Sequence, residues 1–93
     1  MTKENKLTKL DNKIIKITKK INALREAKRY TEKEHKNAVD MVENVPTNIY
    51  IDEWRNLAEH LKNVLDNLNE IEQDLTAEQS KLCEQFDKIE RGA

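Results

Sequence analysis

Hydrophobic residues recur along this chain at alternating spacings of three and four, in two runs separated by its single proline, Pro46. The first run is Leu7, Leu10, Ile14, Ile17, Ile21 and Leu24. The second is Trp54, Leu57, Leu61, Val64, Leu68, Ile71, Leu75, Leu82 and Ile89. An α-helix turns once in 3.6 residues, so this rhythm lays apolar side chains along one stripe. Such a stripe is the seam by which a helix packs lengthwise on another. The fold class it predicts is all-α. The architecture is a long antiparallel, coiled-coil-like helical hairpin that forms a single domain over residues 1–93.

Punctuation in the sequence sets the expected boundaries. Thr2 can cap a first helix over residues 3–44. Val45-Pro46-Thr47-Asn48 then stops it, because the residue before a proline is pushed out of the α region. After a turn over residues 45–52, Asp52 is the expected N-cap of a second helix over residues 53–90. Glu53 stands near its positive end, and Gly92 terminates it. Thr31-Glu32-Lys33-Glu34 and Thr76-Ala77-Glu78-Gln79 both match a capping box that could break a helix. Neither is preceded by Gly or Pro, so continuity is expected at both, with a bend near residue 30 as the rival.

The two seams can be laid against each other so that facing residue numbers sum to 99. Val45 then meets Trp54 and closes the turn end of the hairpin, Val42 meets Leu57 and Ala38 meets Leu61. Further out Leu24 meets Leu75, Ile17 meets Leu82 and Leu10 meets Ile89. In the middle layers the first helix offers Lys28, Thr31 and His35, while the second offers Leu61, Val64, Leu65, Leu68 and Ile71. Two helices are too thin to bury a full core. The surplus at Leu61, Val64, Leu65, Leu68 and Ile71 is therefore the expected surface for a partner or for self-association. A second copy, giving a four-helix dimer or a higher oligomer, is the simplest occupant.

Composition supports helices and adds an asymmetry. One Gly, one Pro and four aromatic residues in 93 leave little from which to build sheets. The net charge of −1 divides into +7 over residues 1–36 and −8 over residues 37–93. A basic arm beside an acidic arm favours antiparallel pairing, within one chain or between two, although each exposed pair contributes only about 0.3–0.5 kcal/mol. Cys83 is the lone cysteine, so no disulfide framework exists. That usage fits a reducing, cytoplasmic location. No apolar run approaches the roughly 20 residues that span a bilayer, and none is a signal segment.

Candidate chemistry is sparse. Lys3, Lys6, Lys9, Lys13, Lys16, Lys19 and Lys20 could track a phosphate backbone, but no aromatic or Arg is interleaved, so nucleic acid is not the expected partner. Asp66, Glu70, Glu72, Asp74, Glu78, Glu84, Asp87 and Glu90 make the second arm acidic, a solubilising face or one for a basic partner. His35 and His60 fit no zinc-ligand spacing, and His35 reads as a polar seam residue that tunes register. No metal and no cofactor is expected. No Ser-His, Cys-His or paired-carboxylate arrangement points to catalysis.

Three resemblances touch short stretches. Leu75-Thr76-Ala77-Glu78-Gln79 with Phe86-Asp87-Lys88 resembles the entry helix of an EF-hand, but Ile89 and Arg91 stand where oxygen ligands belong. The hairpin length resembles the small proteins of type VII export, but Arg55 and Asn56 follow Trp54 where that family has Trp-x-Gly. Asp52-Glu53-Trp54-Arg55 resembles the Asp-x-x-Arg element of the small all-helical chorismate mutases. That resemblance implies an alternative enzymatic reading in which Arg55 grips a dicarboxylate. The early Arg of that family is replaced here by Asp11 and lysines.

The function read from the sequence is a non-enzymatic helical protein that binds a protein partner through a helix face. It would suit a small phage or mobile-element inhibitor or regulator of a host complex. The alternatives are a structural coiled-coil assembly protein, an oligomer that sequesters a small anionic ligand, and the chorismate-mutase-like enzyme.

Overall fold

The computed structural model of the chain describes residues 2–45, 47 and 49–92. Two long helices pack as a hairpin: α1, Lys3–Asn44, and α2, Ile51–Gly92. No strand occurs among the described residues.

Local chemistry accounts for the helix ends. The Asn5 amide donates to Thr2 Oγ1 at 3.2 Å and the Lys6 amide donates to the Thr2 carbonyl at 3.2 Å, so Thr2 caps α1 with both of its oxygens. α1 stops at Asn44, whose side-chain amide donates to Asp40 Oδ1 at 3.0 Å. The stop expected at Pro46 and Asn48 lies outside the described residues. α2 begins earlier than the position of Asp52 suggests. The Trp54 amide donates to the Tyr50 carbonyl at 3.0 Å, so the first helical residue is Ile51. Asp52 instead sits within the first turn and takes Arg55 Nη1 at 3.5 Å.

Both internal capping boxes are overridden. α1 is helical through Thr31, whose hydroxyl donates back to the Ala27 carbonyl at 2.8 Å. That back-bond is how a threonine is accommodated inside a helix, and it competes with capping. Thr8 and Thr18 do the same, to the Glu4 carbonyl at 2.9 Å and the Ile14 carbonyl at 2.7 Å. α2 is likewise continuous through Thr76.

The chain forms two compact units, residues 1–24 with 71–93, and residues 25–70. In the first unit Leu10, Ile17 and Ile21 of α1 are buried, at 9%, 5% and 3% exposure, with Leu7, Ile14 and Leu24 half-buried. From α2, Glu72, Leu75, Gln79, Leu82, Phe86 and Ile89 are half-buried. A polar link crosses this unit: Gln79 Nε2 donates to Thr18 Oγ1 at 2.9 Å, and the Thr18 hydroxyl in turn donates to the Ile14 carbonyl. A part-buried hydroxyl that both accepts and donates has its hydrogen-bonding capacity largely used.

That bond bears on the register. Were facing numbers to sum to 99, Thr18 would look at Lys81; it is bonded to Gln79, as a neighbouring register would have it, while Ile17 and Leu82, an expected pair, line one hollow. Phe86 accordingly lies beside Leu7, Thr8 and Asp11, with which it lines a hollow of about 250 Å³.

In the second unit Ala38 is the most buried residue, at 0% exposure. Lys28, Thr31, His35 and Val42 of α1 are half-buried at the spacing that continues the first seam. Ile51, Trp54, Ala58, Leu61, Val64, Leu65 and Leu68 of α2 are half-buried.

The lining of α2 also differs from the expected seam. The half-buried positions follow Ile51, Trp54, Ala58, Leu61, Leu65, Leu68, Glu72, Leu75, Gln79, Leu82, Phe86 and Ile89, an unbroken alternation of three and four. Leu57 and Ile71, assigned to the seam by sequence, are 39% and 47% exposed. The line through Trp54, Leu61, Leu68, Leu75, Leu82 and Ile89 is common to both readings. Its companion line runs through Ala58, Leu65 and Phe86 rather than through Leu57, Val64 and Ile71. The first unit gives the physical reason. Continuing the expected line would have turned Glu78 and Gln85 inward, whereas the observed one brings in Phe86 and the hydrogen-bonded Gln79.

Candidate functional site

Because α2 turns its Ala58–Leu65 line inward, a set of apolar side chains is left standing on its surface. None of its described residues is fully buried. In the second unit Ile49 is 84% exposed, Tyr50 59%, Val45 39% and Leu57 39%. Leu57 and Val64 are seven residues apart, which places them on one face of the helix, and Tyr50 stands seven before Leu57 at the residue preceding α2. Ile71, the next position in that sequence, is exposed in the first unit.

The residues expected to form the partner surface therefore divide. Leu61, Leu65 and Leu68 follow the half-buried seam rhythm, Val64 is half-buried beside it, and Ile71 is exposed. Of the pair expected to close the turn end, Trp54 is half-buried and Val45 exposed. Tyr50 and Ile49 were not among the candidates. The seven-residue step from Leu57 back to Tyr50 was the available signal.

Trp54 borders a shallow, open hollow. Tyr50, Glu53, Trp54 and Leu57, at positions i, i+3, i+4 and i+7, line a hollow of about 290 Å³ whose walls are mostly apolar. Acidic residues dominate this part of the chain. Between Asp40 and Glu59 stand five carboxylates and one cation, Arg55. Arg55 reaches Asp52 on its own helix, and both side chains are open to solvent, at 63% and 84% exposure. The Asp-x-x-Arg element thus forms a solvent-facing pair one helical turn apart.

Lys3, Lys6, Lys9, Lys13, Lys16, Lys19 and Lys20 lie in the first unit and are exposed. Lys13, Lys16 and Lys20 border a hollow of about 300 Å³ with Ile17, Glu78 and Leu82. Lys3 and Lys6 border another of similar size with Lys88, Ile89 and Gly92, where Lys3 Nζ donates to the Glu90 carbonyl at 3.0 Å. Glu78 makes the first of these hollows mixed in charge, whereas the second is bordered by three lysines, one of them bonded to a neutral backbone carbonyl. His35 is half-buried and His60 exposed. Among the described residues no three His, Cys, Asp or Glu side chains gather in a way that could hold a metal ion. Cys83 is an exposed free thiol. No helix is long and apolar enough to cross a membrane.

No protein-family model, no curated protein and no solved structure matches this chain.

Proposed function

We propose that the chain is a non-enzymatic, cytoplasmic interaction protein that engages a macromolecular partner through the outward face of α2. The observation that carries this reading is that each unit leaves an apolar residue of α2 exposed, Leu57 in the second and Ile71 in the first, while another apolar line of the helix is turned inward. Large apolar side chains at a helical repeat are the anchors that a partner groove or a facing helix receives, and neighbouring charges fix orientation. A regulator or inhibitor that caps a site on a larger host complex, as phage and mobile-element products do, is the use such a small module fits.

The test is affinity capture with the wild-type chain beside Leu57→Glu and Ile71→Glu. Both positions are exposed, so both variants remain soluble and helical by circular dichroism. A specific captured protein that disappears with either variant supports the proposal. An unchanged set of captured proteins refutes it.

A second reading, assembly with copies of itself, is favoured by one separate observation. Only Leu10, Ile17, Ile21 and Ala38 are buried among the described residues. So small a core leaves a two-helix unit short of stabilisation, which a four-helix dimer or higher oligomer would supply. Light scattering coupled to size exclusion, run over a range of concentrations, tests it. A mass that stays at one chain throughout removes the assembly reading.

A further inference from the structure

Two hollows of the first unit are each bordered by three lysines: Lys13, Lys16 and Lys20 at one, Lys3, Lys6 and Lys88 at the other. Lys6, Lys13 and Lys20 follow one another by sevens, so both hollows open on the same side of α1. On α2 the bordering residues Glu78, Lys88 and Gly92 belong to the series 78, 81, 85, 88 and 92, again one side of a helix, which adds the exposed Lys81. The fold thus brings two lysines of the acidic arm to the side that the basic arm occupies. The carboxylates at the same spacing are Glu78 and, one turn before it, Asp74. Charge is sorted within the unit. The hollow of Leu7, Thr8, Asp11 and Phe86 holds a carboxylate and no lysine, and Asp11 stands two residues from Lys13, on nearly the opposite side of α1.

We propose that this lysine-lined side of the first unit binds the phosphate backbone of double-stranded nucleic acid without reading its sequence. Lys3 and Lys20 are 17 residues apart. That is about 26 Å along the helix, too long for one small anion and equal to about seven or eight base pairs. An interface between proteins centres on apolar anchors and is poor in lysine, whereas one with nucleic acid is polar and rich in positive charge. On α2 no large apolar side chain is exposed between Glu78 and Gly92, and the exposed Ile15 of α1 is turned away by its two-residue step from Lys13. Stacking on single-stranded bases needs aromatic rings, and Phe86, the aromatic residue of this unit, borders the other hollow, so contact is with backbone alone. Where Lys3 and Lys6 face Lys88, cations stand on both walls, an arrangement that takes a ridge of phosphates better than a flat bilayer surface. Lys3 donates to a neutral carbonyl there, which uses one of its three donors and leaves its charge in place. This surface is separate from the α2 face proposed above and does not depend on it.

The experiment follows the anisotropy of a labelled DNA duplex of about 20 base pairs titrated with the full chain over a range of salt concentrations. Contact with four to six phosphates gives a slope of log K against log salt of about −4 to −5, a loss of roughly 250- to 1,000-fold between 50 and 200 mM. A duplex of unrelated sequence binds equally. Joint substitution Lys13→Gln, Lys16→Gln and Lys20→Gln, all at exposed positions, weakens binding at least about tenfold and reduces the slope by about 3, with helicity unchanged. Lys33→Gln, Lys36→Gln and Lys62→Gln together make the same change of net charge in the second unit and leave affinity and slope nearly unaltered.

Absence of duplex binding at 50 mM salt overturns the proposal, and so does equal weakening by the two sets of substitutions. Binding to phosphatidylserine vesicles but not to the duplex assigns the lysines to a lipid surface and overturns it. Self-association that the first set abolishes assigns them to the acidic side of a second copy and overturns it as well.

Discussion

Ile21 and Ile71 have the same side chain and both satisfy the heptad rhythm, yet the structure gives them different energetic weight. Ile21 is 3% exposed and Ile71 is 47% exposed. Truncating a buried isoleucine to alanine loses its transfer free energy and leaves a cavity, a cost of about 2–5 kcal/mol. Ile71 withdraws only about half of its surface from water, and full burial of such a side chain contributes about 1.5–3 kcal/mol. Its truncation also opens no cavity, because one side already faces solvent. Ile71→Ala is therefore expected to cost about 1 kcal/mol or less, and Ile21→Ala at least about 2 kcal/mol.

In a domain of this size 1 kcal/mol moves the midpoint of thermal unfolding by roughly 4–8 °C, so the two variants separate clearly. Urea unfolding followed by far-UV circular dichroism measures the difference, with equal slopes confirming that the unfolded reference is unchanged. The series is run at several protein concentrations, since a partner copy seated on Ile71 would raise its apparent cost as concentration rises. Equal destabilisation by the two substitutions at every concentration would refute the assignment of the inward line of α2.

Other positions give further tests. Ala38→Leu inserts a large side chain at a fully enclosed position, so a loss of about 1–3 kcal/mol in chemical unfolding is expected; a neutral result would mean that the second unit has room the structure does not contain. Thr2→Ala removes the side-chain acceptor of the Asn5 amide, and faster hydrogen exchange at Asn5 with about 1 kcal/mol lost locally is the outcome sought by NMR. Gln79→Leu breaks the link to Thr18, whose net worth is about 0.5–1.5 kcal/mol, and replaces it with apolar contact. Unfolding stability should then change by less than about 1 kcal/mol, while double electron–electron resonance between labels on the two halves of the first unit reports a broadened register. An unbroadened distance distribution would show that apolar packing sets the register without the polar link.

Much of the architecture was legible because it depends on local rules. The period of apolar residues from Leu7 to Leu24 marks the inward stripe of α1, and burial of Leu10, Ile17 and Ile21 follows it. Thr2 could be read as a cap because a hydroxyl one residue before the helix is in reach of its first free amides. The register was not legible. Apolar residues border the Trp54–Ile89 line on both sides near the middle of α2, and periodicity cannot rank two adjacent lines of similar hydrophobicity. The gaps at Glu78 and Gln85 were a hint that the expected line failed toward the end of the chain, and Phe86 a hint of what replaced it.

The candidate site followed from that same choice. With the Ala58–Leu65 line turned inward, Leu57 and Tyr50 were left outside, and Tyr50, Glu53, Trp54 and Leu57 came to line one hollow.

By itself the sequence determined that there would be two long helices, where the first begins and ends, and which stripe of α1 faces inward, since capping chemistry and apolar period act within a few residues. Only the tertiary structure decided which of two neighbouring lines of α2 is covered and how far the helices slide along each other. Those depend on contacts between residues far apart in the chain, such as Gln79 with Thr18, and no local pattern encodes them.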